Sequence, residues 1–137
     1  MEIPTHLQHN PIVGVKNYEK LDAMNADNSD AKALSIGIAQ YDQDEISAKV
    51  WRHSGLKWSR QSEELPLHRV FDLCSLTLAA IMREPESKCS LTILNEGIIN
   101  PEKLDLIKSY YYANEKYLKP RIDHLEKLIS EFKEKMK

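Results

Sequence analysis

The sequence predicts a single α+β domain of residues 1–137, in which a small antiparallel β-meander packs on a central helix, followed by two C-terminal helices. Apolar and polar residues alternate within residues 31–61, as in strands that bury one face. Apolar residues recur every three or four positions over residues 66–84 and 101–136, as in amphipathic helices. A chain of 137 residues with 42% hydrophobic residues can bury the core of one domain.

Residues 1–18 are predicted to form an extended arm, because prolines and Gly14 punctuate them, with a short strand at Ile12–Val15. His6 and His9 are three residues apart in this arm. A metal site needs more ligands than this pair supplies, so we expect exposed histidines and no metal.

Residues 31–41 fit two structures. A helix would follow an Asp30 cap and use apolar residues three or four apart, whereas a strand would use the alternation of Leu34, Ile36 and Ile38. We favour the strand, because Gly37 disfavours a helix and residues 46–53 alternate as a partner strand. Ser54-Gly55 predicts a hairpin, and Lys57–Gln61 would be the third strand.

Three helices are predicted after the meander. Pro66 suits a first helical turn and Pro85 ends the core helix of residues 66–84. Asn100-Pro101 opens the second helix by the cap and proline rule, and Pro120 interrupts it or restarts a third.

The composition argues against several classes of protein. Nineteen Lys and Arg against twenty-one Asp and Glu leave a net charge of -2, which argues against nucleic acid and anionic membranes as partners. The amino terminus lacks the basic and apolar regions of a signal peptide, and no apolar run spans a membrane. We expect a cytoplasmic protein, and the absence of nucleotide-binding and metal motifs predicts no cofactor.

A basic stretch before the core helix predicts a binding site for a small anionic ligand. Arginine forks and the start of a helix both favour phosphate or carboxylate groups. The alternative is that Glu63 and Glu64 pair with the arginines and fix the strand-to-helix corner. The candidate ligand-binding residues are Arg52, His53, Arg60, His68 and Arg69.

Two further functions remain open in this region. His68 and Asp72 are spaced i, i+4 on one helix face, so they are the candidate catalytic residues of a hydrolase or nuclease-like enzyme. Trp51 and Trp58 interleave with basic residues, as in single-strand nucleic-acid sites, or they pack as strand residues with cations above them.

The last helix predicts an assembly role. Apolar residues recur along Arg121–Lys137, with Lys and Glu elsewhere, so this helix is a candidate homodimer interface or a cover for the sheet of its own chain. The third hypothesis is therefore a structural or interaction module that dimerises through its C-terminal helix.

The run WRHSGLKWSRQSEELPLHR at Trp51–Arg69 resembles the hallmark segment of a small bacterial family known only as a domain of unknown function. The resemblance covers most of the chain, best from about Asn10 to Met82. It implies a bacterial cytosolic protein and assigns no catalytic residue.

Overall fold

The computed structural model describes residues 1–4, 9–59 and 62–137. It contains an antiparallel sheet and three α-helices, the last two at the C-terminus, so the predicted α+β class is confirmed. The strands are β1 (Asn10–Lys16), β2 (Ala31–Ile38), β3 (Ile46–Arg52) and β4 (Glu64–Pro66). The helices are α1 (Leu67–Met82), α2 (Leu104–Ala113) and α3 (Glu115–Lys135).

The four strands pair in the order β1-β2-β3-β4, each antiparallel to its neighbour. The strand interpretation of residues 31–41 is confirmed by β2, and the predicted N-terminal strand is confirmed and longer than expected. The third strand of the meander differs from the prediction. Residues 57–59 contribute one bridge, His53 to Trp58, and the short β4 pairs with β3 instead. Residues 60 and 61 of that predicted strand lie outside the described residues.

The better buried face of the sheet is not the one that carries most of the aliphatic side chains. Ala33 lies opposite Trp51 and Gly37 lies opposite Ser47, and on this face Trp51 is 1% and Ser47 0% exposed. The other face carries most of the aliphatic side chains of β1 to β3, yet Val13 is 67% exposed. The face with serines and an indole is therefore the better buried one.

Gly37 permits the close approach of β1 to β2. A Cβ at this position would overlap the backbone oxygen of Asn10 and would lie 2.7 Å from the Cα of Pro11. Only glycine lets the two backbones come this close. The residue that disfavours a helix in the sequence thus has a direct packing role in the sheet.

The chain forms two compact units, Met1–Cys74 and Ser75–Lys137, with α1 beginning in the first and ending in the second. Only Ala79 of α1 is buried, and Phe71 is 70% exposed. This helix is therefore much more exposed than its apolar composition predicts. The expectation of one domain stays a prediction.

The helical unit breaks at Asn114 rather than at Pro120. Asn114 has φ -117° and ψ 18° and lies between α2 and α3. Pro120 lies inside α3, which continues through it, so the prediction that Pro120 interrupts or restarts a helix is wrong. The side chain of Arg121 donates to the carbonyl oxygen of Tyr117 at 2.8 Å in the same turns of α3.

Candidate functional site

The guanidinium of Arg52 is held by two carboxylates. Its Nη1 lies 2.6 Å from Asp30 Oδ1, its Nη2 lies 2.7 Å from Glu63 Oε1, and its Nε donates to both oxygens of Glu63. These hydrogen bonds raise the pKa of Arg52, and the Arg52 bond lowers the pKa of the Glu63 carboxyl. The alternative in which Glu63 pairs with a basic residue is confirmed for Arg52.

His53 belongs to the hairpin that follows β3. Its Nδ1 accepts a hydrogen bond from the backbone N–H of Gly55 at 3.0 Å, and its ring meets the Trp58 ring edge-on at 4.9 Å between centroids. Gly55 has φ 100°, which favours glycine, and the predicted hairpin at Ser54-Gly55 is present. This histidine therefore fixes the turn.

His68 and Arg69 lie on the first turn of α1, and both are exposed. Burial, Glu45 and Glu64 raise the pKa of Tyr41, which lies between β2 and β3, and the charge of Arg69 opposes that rise. Asp72 is half-buried on the same helix, and no hydrogen bond between His68 and Asp72 is found in the described part of the chain.

The candidate ligand-binding residues fall into two groups. Pro66, just before α1, lies opposite Ser47, whereas Arg52 and His53 follow at the far end of β3. Arg52 lies five positions after Ser47 along the strand, roughly 16 Å at the usual rise per residue. The sheet register thus groups His68 with Arg69 and Arg52 with His53. Arg60 lies outside the described residues.

A buried polar cluster lies on the serine-bearing face, and it was not predicted from the sequence. His9 is 0% exposed, so the expectation that it lies in an exposed arm is wrong. His6, the other histidine of that expectation, lies outside the described residues. We call this set of side chains the His9 cluster; its members are His9, Ser35, Ser47, Trp51 and Glu64.

The hydrogen bonds of the cluster converge on the imidazole. Nδ1 lies 3.1 Å from Glu64 Oε1 and 3.0 Å from Ser47 Oγ, and Nε2 lies 3.0 Å from Ser35 Oγ. Trp51 Nε1 donates to Ser35 Oγ at 2.8 Å. An imidazole that donates from Nδ1 to Glu64 and accepts the Ser35 hydroxyl proton at Nε2 satisfies this pattern.

Glu64 receives several donors at one carboxylate oxygen. The Ser47 hydroxyl donates at 2.8 Å and the backbone N–H of Gln40 at 3.0 Å. Burial alone would raise the pKa of Glu64, but these bonds and His9 outweigh it, so the pKa is lowered. The carboxylate is therefore the stable form at neutral pH.

The connection Ser35–His9–Glu64 has the hydrogen-bond order of a Ser-His-acid relay. Ser35, however, is 4% exposed, and its Oγ already accepts the Trp51 N–H bond. A substrate carbonyl needs access to the serine oxygen, which this packing denies. The arrangement instead ties residue 9, ahead of β1, to three other segments of the sheet.

The tryptophans are packing residues of the same face. Trp51 meets the His9 ring at 5.7 Å and the Trp58 ring at 5.7 Å, both edge-on, and Lys49 Nζ lies 4.0 Å from the Trp51 ring centroid. Burial lowers the pKa of Lys49. This agrees with the alternative of strand tryptophans carrying a cation above the ring rather than stacking on bases.

The opposite face of the sheet forms an apolar groove, which we call the sheet groove. Its volume is about 410 Å³, within the range of small-molecule sites. Val70 of α1 also lines it and belongs to the first unit. The other apolar residues that line it are Val13, Val15, Leu34, Ile36, Ala48, Val50 and Leu65.

The helical unit has a second apolar cavity, of about 420 Å³, lined by α1, α2 and the residues between them. Arg83 supports its wall, donating to the carbonyl oxygens of Cys89 at 2.7 Å and Ser87 at 3.1 Å. The Thr92 hydroxyl and the Leu91 N–H lower the pKa of Glu96 to about 2, because both donate to its carboxylate. These polar contacts fix the conformation of the loop between α1 and α2.

The fold and the sites define an α+β protein whose sheet carries a buried histidine cluster on one face and an apolar groove on the other. The chain belongs to a family of unknown function, DUF6530, whose family model matches residues 1–88. The predicted membership of a family of unknown function is thereby confirmed. No curated protein and no solved structure matches the chain. Among the described residues, no helix is long and apolar enough to cross a membrane.

Proposed function

We propose that this protein is an interaction module that associates with a second copy of itself through α3. The observation that carries the proposal is an apolar stripe on this helix, which we call the α3 stripe. Leu125 is 41%, Ile129 54% and Phe132 63% exposed within the stripe. The complete stripe consists of Leu118, Ile122, Leu125, Ile129 and Phe132 of α3 together with Met136, the residue that follows the helix.

The exposed apolar residues of the stripe form a continuous surface, as in association sites, and are not scattered singly. Single exposed apolar residues are ordinary, but contiguous apolar surface rimmed by polar residues marks interaction sites. The remaining positions of α3 are dominated by Lys and Glu. The helix is 21 residues long, so the stripe extends over most of an element about 30 Å in length.

The first test is the association state of the purified full chain, measured by sedimentation velocity over a range of concentrations. The wild type is expected to shift from monomer to dimer as its concentration rises. Ile129→Glu places a charge in the stripe and is expected to weaken the dimer on the order of a hundredfold, because a buried unpaired charge is costly.

The matched control introduces the same charge one residue away. Ser130→Glu changes an exposed position beside the stripe and is expected to leave the dimer unchanged. A chain truncated after Lys119 lacks most of the stripe and is expected to be monomeric. A wild type that stays monomeric at all concentrations, or a truncated chain that keeps its oligomeric state, would contradict the proposal.

A second candidate is the binding of a small anionic ligand at the first turn of α1. It is supported by the exposure of the cationic side chain of Arg69 at that turn, beside His68. Arg52, by contrast, is neutralised by its two carboxylates. Titration with inorganic phosphate should give weaker binding in Arg60→Ala and Arg69→Ala, and unchanged affinity in both would exclude the site.

The hydrolase or nuclease-like hypothesis remains a third proposal with its own test. It predicts a pH-dependent activity that is lost in His68→Ala, because His68 would be the general base. An active His68→Ala variant would remove the hypothesis.

A further inference from the structure

We propose that the α3 helices of two copies form a parallel, two-stranded coiled coil; the inference rests on the self-association proposed above. The stripe residues are separated alternately by four and three positions from Leu118 to Met136. This is the spacing of the two core positions, a and d, of a heptad repeat. It assigns Ile122, Ile129 and Met136 to a, and Leu118, Leu125 and Phe132 to d.

The core residues favour two strands. β-Branched residues at a with leucine at d are the combination typical of parallel dimers. Here the a positions of the first two heptads are isoleucine, and the d positions before them are leucine. Pro120 falls at position f, on the side of the helix away from the seam, so the proline does not interfere with packing.

The flanking charges favour the parallel orientation. In a parallel dimer, each g residue faces the e residue five positions later in its partner. Arg121 is at g and Glu126 is at e, so this pair is attractive on both sides of the dimer. The next g residue is Leu128, which faces Lys133 and adds no repulsion.

The antiparallel arrangement that keeps all the core layers has the opposite charge pattern. It places e against e and g against g of the partner. Lys119 would face Lys133, Arg121 would face Lys135, and the two copies of Glu126 would face each other. Like charges at these positions are destabilising, so the antiparallel arrangement is energetically disfavoured.

Charge reversal separates the two orientations. Arg121→Glu would set a carboxylate opposite Glu126 in a parallel dimer and is expected to weaken the dimer about tenfold. In the antiparallel arrangement the new carboxylate would pair with Lys135 and strengthen the dimer. Glu126→Arg should also weaken a parallel dimer, and the double variant Arg121→Glu/Glu126→Arg should restore it. Glu131→Arg, at the outward c position, is the matched control.

Cysteine cross-linking gives an independent readout of orientation. In a background with Cys74→Ser and Cys89→Ser, which removes the two free cysteines, Ile122→Cys or Phe132→Cys is added. A parallel dimer brings identical positions together, so each variant should form a disulfide with itself under mild oxidation. In an antiparallel dimer, identical positions would lie roughly 15 Å apart along the helix axis, too far for a disulfide.

The outcomes distinguish the inference from the proposed function. Disulfides in both single variants, with weakening by Arg121→Glu, would support the parallel coiled coil. Disulfides formed only when the two variants are mixed would overturn the orientation and leave self-association standing. A wild-type chain that stays monomeric in sedimentation would overturn both.

Discussion

At the scale of single residues, the His9 cluster shows what spacing along a chain does not reveal. Its members come from residue 9, β2, β3 and β4, and no periodic pattern joins them. One alternative drawn from the sequence paired both Glu63 and Glu64 with arginines, whereas in the structure Glu64 contacts His9 and only Glu63 pairs with Arg52. Glu63 and Glu64 are neighbours where the chain enters β4, so their side chains point to opposite faces, and that alternation was the available signal.

Glu64→Gln is expected to lower the free energy of unfolding by about 1–3 kcal/mol at neutral pH, since hydrogen bonds to the carboxylate are lost or weakened. The folded-state pKa of Glu64 is lowered, so this stability is present above the unfolded-state pKa of about 4.5. It should be lost as the pH falls through the folded-state value.

Urea unfolding of the wild type and Glu64→Gln over a pH series measures this difference. The gap between the free energies of unfolding of the two proteins should narrow below about pH 4.5. Glu45→Gln, at an exposed position of the same unit, is the control and should show a much smaller gap at neutral pH. A gap that widens toward acid pH would contradict the role assigned to Glu64.

At the scale of elements, alternation correctly predicted β2 and β3 but neither β4 nor which face of the sheet would be covered. Ser47 and Trp51 share one face of β3, and the hydrogen bonds of the His9 cluster make that face the buried one. The aliphatic face was the natural candidate for the core by hydrophobicity alone. Hydrogen bonds between side chains of distant segments determine which face is buried, and such bonds leave no local pattern in the sequence.

Proline inside α3 gives a prediction for this element. Pro120 lacks the N–H that would bond to the Lys116 carbonyl oxygen, and its ring crowds that carbonyl. Pro120→Ala is therefore expected to raise the stability of α3 by as much as about 3 kcal/mol. Thermal unfolding followed by far-ultraviolet circular dichroism checks it. Ser130→Ala, also in α3 and exposed, should change the midpoint far less, and equal shifts would count against the explanation.

At the scale of the whole molecule, each of the two compact units carries one of the exposed apolar surfaces. The sheet groove belongs to the first unit and the α3 stripe to the second. The family model ends at residue 88, so α3 lies outside the matched residues. The sequence predicted the amphipathic last helix but left its partner open, because the sheet and a second copy fit the apolar stripe equally well.

Self-association should couple stability to concentration. Because only folded chains are expected to dimerise, mass action stabilises the folded state. The thermal midpoint of the wild type should therefore rise by a few degrees between about 1 and about 100 μM. Ile129→Glu should show no such rise. A midpoint that is independent of concentration in both chains would argue against a folded dimer.

Trp51 and Trp58, the two tryptophans of the chain, both lie in the first unit, with Trp51 packed against the His9 ring. Intrinsic indole fluorescence therefore reports on the sheet alone, while ellipticity is dominated by the helices. The two tryptophans are therefore an intrinsic fluorescent probe of the first unit. Detachment of residue 9 would uncover Trp51 and shift its emission to the red without any change in the helical signal.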